Sequence, residues 1–365
     1  GKDLRTGARL RMKDLKLRIT QNIGPILALV LFLILYIFYS SLHPRGFTSD
    51  LFVQNSNEAL TLILLGMAQT LPVLLGGIDL SVGPLMTLVN SLASHLVSGS
   101  AVEIVAGMIA CLVVGALGGL LNGLIVVYGR LQPIVVTLAT GAVFSGIALF
   151  LRPTPGGTVD PDLNWVATNA LAELPATYGW WPNGSPAWFQ FIQGIPMPII
   201  ILVVIVLVVW IPFRRSETGR ACYAVGSNEG AAYMSGVKIE RAKLAAYTLG
   251  GLFAGLAGLY FAIQTGSGNA DPIQAGTYTL NSIAAVVIGG TSLFGGAGGV
   301  IGTIFGVAVL RSITFCFRVV DSDSAIGFLA NPLLQPMFEG LILLLAVSIG
   351  AAGIFRMKNR LSIFR

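Results

Sequence analysis

The sequence predicts an all-α polytopic membrane protein of about ten transmembrane helices, some of them broken, with the N- and C-termini cytoplasmic. Three observations carry that prediction. Of the 365 residues, 55% are hydrophobic and only 10% charged, against about 25% charged in an ordinary soluble domain. The apolar residues gather into runs, several of them as long as the roughly 20 residues a spanning helix needs. Lysine and arginine gather in alternate connections between those runs. This composition excludes a disordered chain, which needs low hydrophobicity and high charge. It also argues against a soluble enzyme, because the charged residues are too few to cover the surface of a chain this long. The net charge of +6 flanks apolar runs and sets orientation, so it does not indicate nucleic acid.

The elements follow in order. Residues 1–23 form a basic cytoplasmic tail with Lys2, Arg5, Arg9, Arg11, Lys13, Lys16 and Arg18. Pro25–Ser40 is apolar and leads into His43-Pro44-Arg45. It reads as a retained first span, since a leader peptide needs a small-residue cleavage site after a shorter run. Apolar stretches lie near 24–41, 58–77, 80–98, 101–128, 133–151, 196–213, 243–264, 280–294, 299–317 and 333–355. The third and eighth are short or glycine-rich, and each is a candidate half of a broken helix. The transmembrane domain is therefore 24–355, and 356–365 is a second cytoplasmic tail.

Ten spans place the N-terminal cations, Arg130, Arg214, Arg215, Arg220, Lys238, Arg241, Lys243, Arg356, Lys358, Arg360 and Arg365 on one side. The other side receives only Arg45, Arg152 and Arg318. Eighteen against three puts both termini in the cytoplasm. The longest outer, periplasmic loop, 152–195, holds six prolines, which exclude a long helix, and Trp165, Trp180, Trp181 and Trp188. Two readings stand for these tryptophans: an aromatic belt at the lipid headgroups or a docking surface.

No enzyme constellation is present. His43 and His95 have no partner at metal-ligand spacing, and Cys111, Cys222 and Cys316 are scattered without a CxxC pair. No GxxxxGK[ST] phosphate loop occurs, so ATP drive would need another subunit. The most informative segment is Leu75–Gly83, where Asp79 lies beside Gly76 and Gly77 and between Pro72 and Pro84. A carboxylate at a helix centre costs about 2.5–3.5 kcal/mol. The prolines are expected to break the helical ladder at a place facing protein or a water-filled path. Asp79 is expected to cap the helix that begins near Leu80-Ser81-Val82. Gln69, Asn90, Asn122, Gln132, Thr137 and Asn281 add neutral polar groups within spans. Neutral amides both donate and accept and so suit a hydroxyl-rich solute such as a sugar; singly, each also reads as an interhelical hydrogen bond worth about 0.6 kcal/mol. The candidate pathway residues are Gln69, Asp79, Ser81, Asn90, Asn122 and Asn281. Arg311 and Glu339 read as a structural pair. Gly115, Gly119 and Gly123, and Gly251, Gly255 and Gly258, permit close helix packing within one bundle or between two copies. The segment 76–83 is echoed by 289–296, as expected of a protein built from two halves. In the cytoplasmic loop 214–242, Ser227 or Asn228 is placed to cap a short helix Glu229–Ser235, and Gly236 to end it in the left-handed conformation.

Four segments together resemble the permease subunits of bacterial carbohydrate ABC importers of the ribose type. They are GGIDLSVG at 76–83, LQPIVVTLATG at 131–141, AVGSNEGAAYMSGV at 224–237 and NSIAAVVIGGTSLFGGAGG at 281–299. The resemblance implies a multi-pass protein of the bacterial inner membrane that imports a monosaccharide and performs no covalent chemistry. It implies a dimer with a second copy or a paralogue, two cytoplasmic ATP-binding subunits that hold ATP and Mg, and a periplasmic sugar-binding protein. No cofactor or metal is expected in this chain, and membrane lipid is its solvent. The stretch Glu229–Gly236 is similar to the family's E-A-A-four-residues-Gly loop, which inserts into the ATPase, although Gly230 stands where that pattern has alanine; Gly226, Asn228, Glu229, Ala231 and Gly236 are the expected coupling residues. Trp180 and Trp181 are the expected contacts of the binding protein. The alternatives are a permease for another small polar solute, of the branched-chain amino-acid type, an ion-coupled secondary transporter and a membrane scaffold without transport.

Overall fold

The computed structural model describes residues 23–181, 184–320 and 327–331, with isolated positions between 333 and 348. All but Ile23 of the tail expected at 1–23, the tail expected at 356–365, most of the tenth apolar stretch, and Glu339 as partner of Arg311 lie outside the described residues. The described chain is built of helices and contains no strand. In order they are α1 (Ile23–Leu42), α2 (Ser49–Leu74), α3 (Val82–Leu96), α4 (Ala101–Tyr128) and α5 (Pro133–Leu151). Three short helices follow in the long loop: α6 (Pro161–Thr168), α7 (Glu173–Tyr178) and α8 (Ala187–Ile192). Then come α9 (Met197–Arg215), α10 (Glu217–Ser227), α11 (Glu229–Met234), α12 (Ile239–Thr265), α13 (Pro272–Ile288) and α14 (Val300–Val319). A short 3₁₀ turn, Gly327–Ala330, lies beyond α14.

Seven of these helices, α1, α2, α4, α5, α9, α12 and α14, are long and apolar enough to cross a bilayer. They present Leu27, Val102, Leu117, Leu138 and Val208 among many exposed apolar side chains, a surface that suits hydrocarbon and not water. This is a polytopic all-α membrane protein. The third and eighth stretches become the short helices α3 and α13, of 15 and 17 residues. The eighth lies earlier in the chain than its hydropathy suggests. Asp271 accepts from Ile273 N at 2.9 Å and Pro272 occupies the first turn, so the helix starts there. It stops at Gly289, and Gly290 follows at φ +83°.

The centre of the bundle is α2 and α12, whose side chains are mostly buried. α12 packs on α2, α3 and α4, and α14 lies among α1, α2 and α13. The two glycine series meet each other across α4 and α12. A Cβ on Gly115 would lie 2.7 Å from Gly255 Cα, and one on Gly119 2.8 Å from Gly251 Cα. Gly258 instead faces Met86 O and Val89 of α3. Of the two readings of that spacing, the structure shows close packing within the bundle. α9 contains one π turn, Val206–Trp210, which carries the buried Trp210 against Phe213.

Candidate functional site

The polar centre forms where α2 ends. Pro72 lacks the N–H that would continue the ladder, and the chain closes on itself with Leu75 N and Gly77 N donating to Pro72 O. Gly76, at φ +78°, turns the chain out of the helix. Pro84 does not break a helix, contrary to expectation. It lies in the first turn of α3, where no backbone donor is needed.

Asp79 in this break is buried, and its Oδ1 accepts from Ser81 N at 2.7 Å and Ser81 Oγ at 2.6 Å. That is a turn across two residues, not a cap on the first turn of α3. Ser81 is the residue at the cap position, and its side chain makes no capping bond. Ser81 Oγ accepts from Asn122 Nδ2 of α4 at 2.7 Å, and Asn122 Oδ1 accepts from Thr140 Oγ1 of α5 at 2.6 Å. From α2, the Gln69 carboxamide donates to Asp79 O at 2.8 Å and accepts from Asp79 N at 3.2 Å. Leu80 N donates to Thr137 Oγ1 at 3.0 Å. Gln69, Asp79, Ser81 and Asn122 are thus one connected network. Thr140 was not singled out by the sequence; only its position one turn after Thr137 on a span marks it.

Asn90 and Asn281 are buried elsewhere. Asn90 Oδ1 accepts from Asn269 N at 2.7 Å, while its Nδ2, like Ser91 Oγ, is buried without a partner. Asn281 lies on α13, two residues beyond Thr279, whose hydroxyl accepts from Gly83 N. Gln132 precedes α5 without a side-chain cap.

Beyond Asn90 the bundle is closed by the long loop. Gly156 and Gly268 exchange both backbone hydrogen bonds, at 2.9 and 2.8 Å. Val159 N donates to Gly266 O and Asp160 N to Val97 O. Asn57 Nδ2 donates to Thr168 O, and its Oδ1 accepts from Tyr260 Oη. Arg152 reaches back to Ser94 through Nε at 3.1 Å. In the same loop Trp181 packs on Phe189 with ring centroids 4.6 Å apart, while Trp180 and Trp188 remain exposed.

The opposite end is open. A cavity of about 1090 Å³ is lined by Gly76 and Gly77 of the break, Arg130 and Pro133, Glu229 and Tyr233 of α11, and Lys238, Arg241, Lys243 and Tyr247. A Cβ on Gly77 would lie 3.3 Å from Tyr247 Oη. Tyr247 and Gly77 therefore stand at the inner wall of the cavity, and Asp79 lies behind them. The predicted basic loops gather at this end, with Arg214, Arg215 and Arg220 around Ile301.

α10 and α11 sit on the rim. Asn228 ends α10 and caps α11, its Oδ1 accepting from Ala231 N at 2.9 Å. Gly236 follows at φ +78°. Glu229 pairs with Lys243 of α12 at 2.7 Å. Ala231, Tyr233 and Met234 are exposed. Gly226 points the other way, inward, where a Cβ would overlap Leu74 O. Cys222 is buried against Ala242 O, and burial pushes its thiol up to about 12. Burial also raises the Tyr223 phenol, which donates to Gly298 O at 2.9 Å. Among the described residues no cluster of His, Cys, Asp or Glu converges as a metal site.

A buried polar break, a closed end and an open basic end are features of a conduit. Residues 52–347 match the family model described as branched-chain amino acid transport system / permease component. The chain belongs to this permease family. The permease is 33% identical over 331 residues to the ribose import permease protein of Bacillus subtilis, covering 90% of this chain and 92% of that one. It is 33% identical to the ribose import permease protein of Escherichia coli K12, over 78% of this chain and 82% of the relative. It is 31% identical to the fructose import permease protein of Rhizobium meliloti, over 89% and 84%. No solved structure matches it.

Proposed function

We propose that this permease is one half of an ATP-driven pore that carries a monosaccharide inward across the bacterial inner membrane. The observation that carries the solute class is that relatives matching over most of the chain are import permeases for ribose and fructose. The site supports it. The network of Gln69, Asp79, Ser81, Asn122 and Thr140 offers closely spaced donors and acceptors and one carboxylate. Asn90 Nδ2 and Ser91 Oγ are buried polar atoms that a solute hydroxyl or a water would satisfy.

In this reading the basic end is cytoplasmic, both termini lie on that side, and the structure is a state closed to the periplasm and open to the cytoplasm. Import requires the 152–170 closure to open while Tyr247 and Gly77 shut the cavity. ATP and Mg are held by two separate cytoplasmic subunits that dock on α11 through Glu229, Ala231 and neighbouring residues. A second copy or paralogue completes the pore. A periplasmic sugar-binding protein delivers the solute to the outer loop, where Trp180 and Trp188 are exposed and Trp181 anchors the cluster.

The test is uptake of labelled ribose into liposomes holding the permease and its binding protein, with and without the ATP-binding subunit and ATP. ATP-dependent ribose uptake is expected. Uptake driven by a proton or sodium gradient alone would overturn the reading. Uptake of leucine in place of ribose would return the protein to the solute class in its family's description.

A further inference from the structure

We propose that the end of α10 is a main-chain latch joining the ATPase-docking helix α11 to the carboxylate-bearing break, with Gly226 and Tyr223 as its positioning residues. The inference rests on the transport reading above and adds the route by which force reaches Asp79.

Three segments far apart in sequence meet at one point: the end of α2 with Gly76, the end of α10, and the loop 289–299 between α13 and α14. Gly296 N donates to Leu74 O at 2.9 Å. A Cβ at Gly226 would overlap that same carbonyl and stand 2.7 Å from Gly296 N. A Cβ at Gly295 would lie 2.7 Å from Gly226 O and 2.8 Å from Gly76 N. Gly76, Gly295 and Gly296 all have positive φ, at +78°, +86° and +74°, a conformation that only glycine adopts at little cost. Main chain therefore lies directly on main chain at Leu74, Gly76, Gly226 and Gly295, and the one side chain at the junction is the short Ser227 hydroxyl beside Gly296.

That arrangement has a mechanical meaning. Side chains absorb small displacements by changing rotamer; carbonyls and amides in direct contact cannot. The loop is braced on its own far side. Ser292 N donates to Ala297 O, Gly299 N to Thr291 Oγ1, and Tyr223 Oη to Gly298 O. Asn228 belongs to both α10 and α11, so a displacement of α11 starts two residues from Gly226. On the other side of the contact, Leu74 lies five residues before Asp79. The Glu229–Lys243 pair ties α11 separately to α12, one turn from Tyr247. α11 thus holds both sides of the cavity's inner wall, Gly77 through the latch and Tyr247 through α12.

The test compares wild type, Gly226→Ala, Tyr223→Phe and Gly146→Ala, a control with open space around its Cβ position. Each is reconstituted with the ATP-binding subunit and binding protein. Three quantities are read: retained ATPase, ATP hydrolysed and ribose taken up. Gly226→Ala is expected to retain a hydrolysing ATPase while ribose moved per ATP falls about tenfold, within the range of coupling between two sites. Tyr223→Phe is expected to lose about fivefold, the worth of one hydrogen bond, and it decides the matter if Gly226→Ala fails to insert. Gly146→Ala is expected to match wild type. Wild-type ribose per ATP in Gly226→Ala and Tyr223→Phe would overturn the latch alone. Loss of the ATPase from Gly226→Ala would also overturn it, by placing Gly226 in the docking surface. No ATP-driven ribose uptake by wild type would overturn the transport reading, and the latch with it.

Discussion

Asp79→Ala and Asp79→Asn separate what the carboxylate holds from what it conducts. Oδ1 accepts from both Ser81 N and Ser81 Oγ, and Ser81 is fully buried. Alanine removes the acceptor and strands the Ser81 N–H. A buried donor left without a partner costs about 1–3 kcal/mol. The Ser81 hydroxyl can turn to another acceptor, so its loss adds little. Asparagine keeps an oxygen at the Oδ1 position and both bonds with it. Alanine is therefore expected to lower stability by about 1–3 kcal/mol, too little to prevent assembly of the bundle, and asparagine by less than about 1 kcal/mol. Both are expected to reduce ribose uptake. The assay pairs chemical unfolding in detergent with uptake in liposomes at matched protein levels. Equal destabilisation by the two variants would refute the acceptor argument. Wild-type uptake by Asp79→Ala would remove Asp79 from the pathway.

Reporter fusions after Arg152 and after Arg215 are expected to report opposite sides of the membrane; the same side for both would end the ten-span topology. Ala231 is exposed on α11, so Ala231→Trp is expected to insert normally and to lose ATPase in co-purification, since overfilling a packed groove costs about 1–3 kcal/mol; full retention and full sugar-stimulated hydrolysis would place docking elsewhere. Trp180→Ala, at an exposed ring, is expected to weaken binding-protein affinity about tenfold with unchanged insertion; unchanged affinity with poor insertion would favour the aromatic belt. Cys222, raised to about 12 by burial, stays a neutral thiol at pH 8 and is expected to resist maleimide in the native permease and to label once unfolded; rapid native labelling would contradict its packing.

Local signals were legible in the sequence. Asn228 and Gly236 bracket a short helix because capping and left-handed termination depend on single residues and near neighbours. The break after Pro72 was legible because proline acts on its own turn. Pro84 was misread for the same reason: a proline reads alike whether it ends a helix or begins one, and only the position of Ser81 decides. The convergence of Ser81, Asn122 and Thr140 was not legible. An amide in an apolar span announces a polar group and not the face it presents, and these three come from separate elements. Gly226 was read with its neighbours as a docking residue. Its inward direction follows from the course of α2 and of the loop 289–299, which no local pattern around residue 226 encodes.

The closure made by Gly156, Val159, Asp160, Gly266 and Gly268 uses backbone groups alone for four of its bonds. At about 0.5–1.5 kcal/mol each, the four bonds contribute about 4 kcal/mol to the closure, and the bonds of Asn57 to Thr168 and of Arg152 to Ser94 add to it. Because the bonds belong to the main chain, their strength depends little on which side chains the loop carries. The tip of the loop is therefore free to diverge in sequence while these four bonds keep their strength.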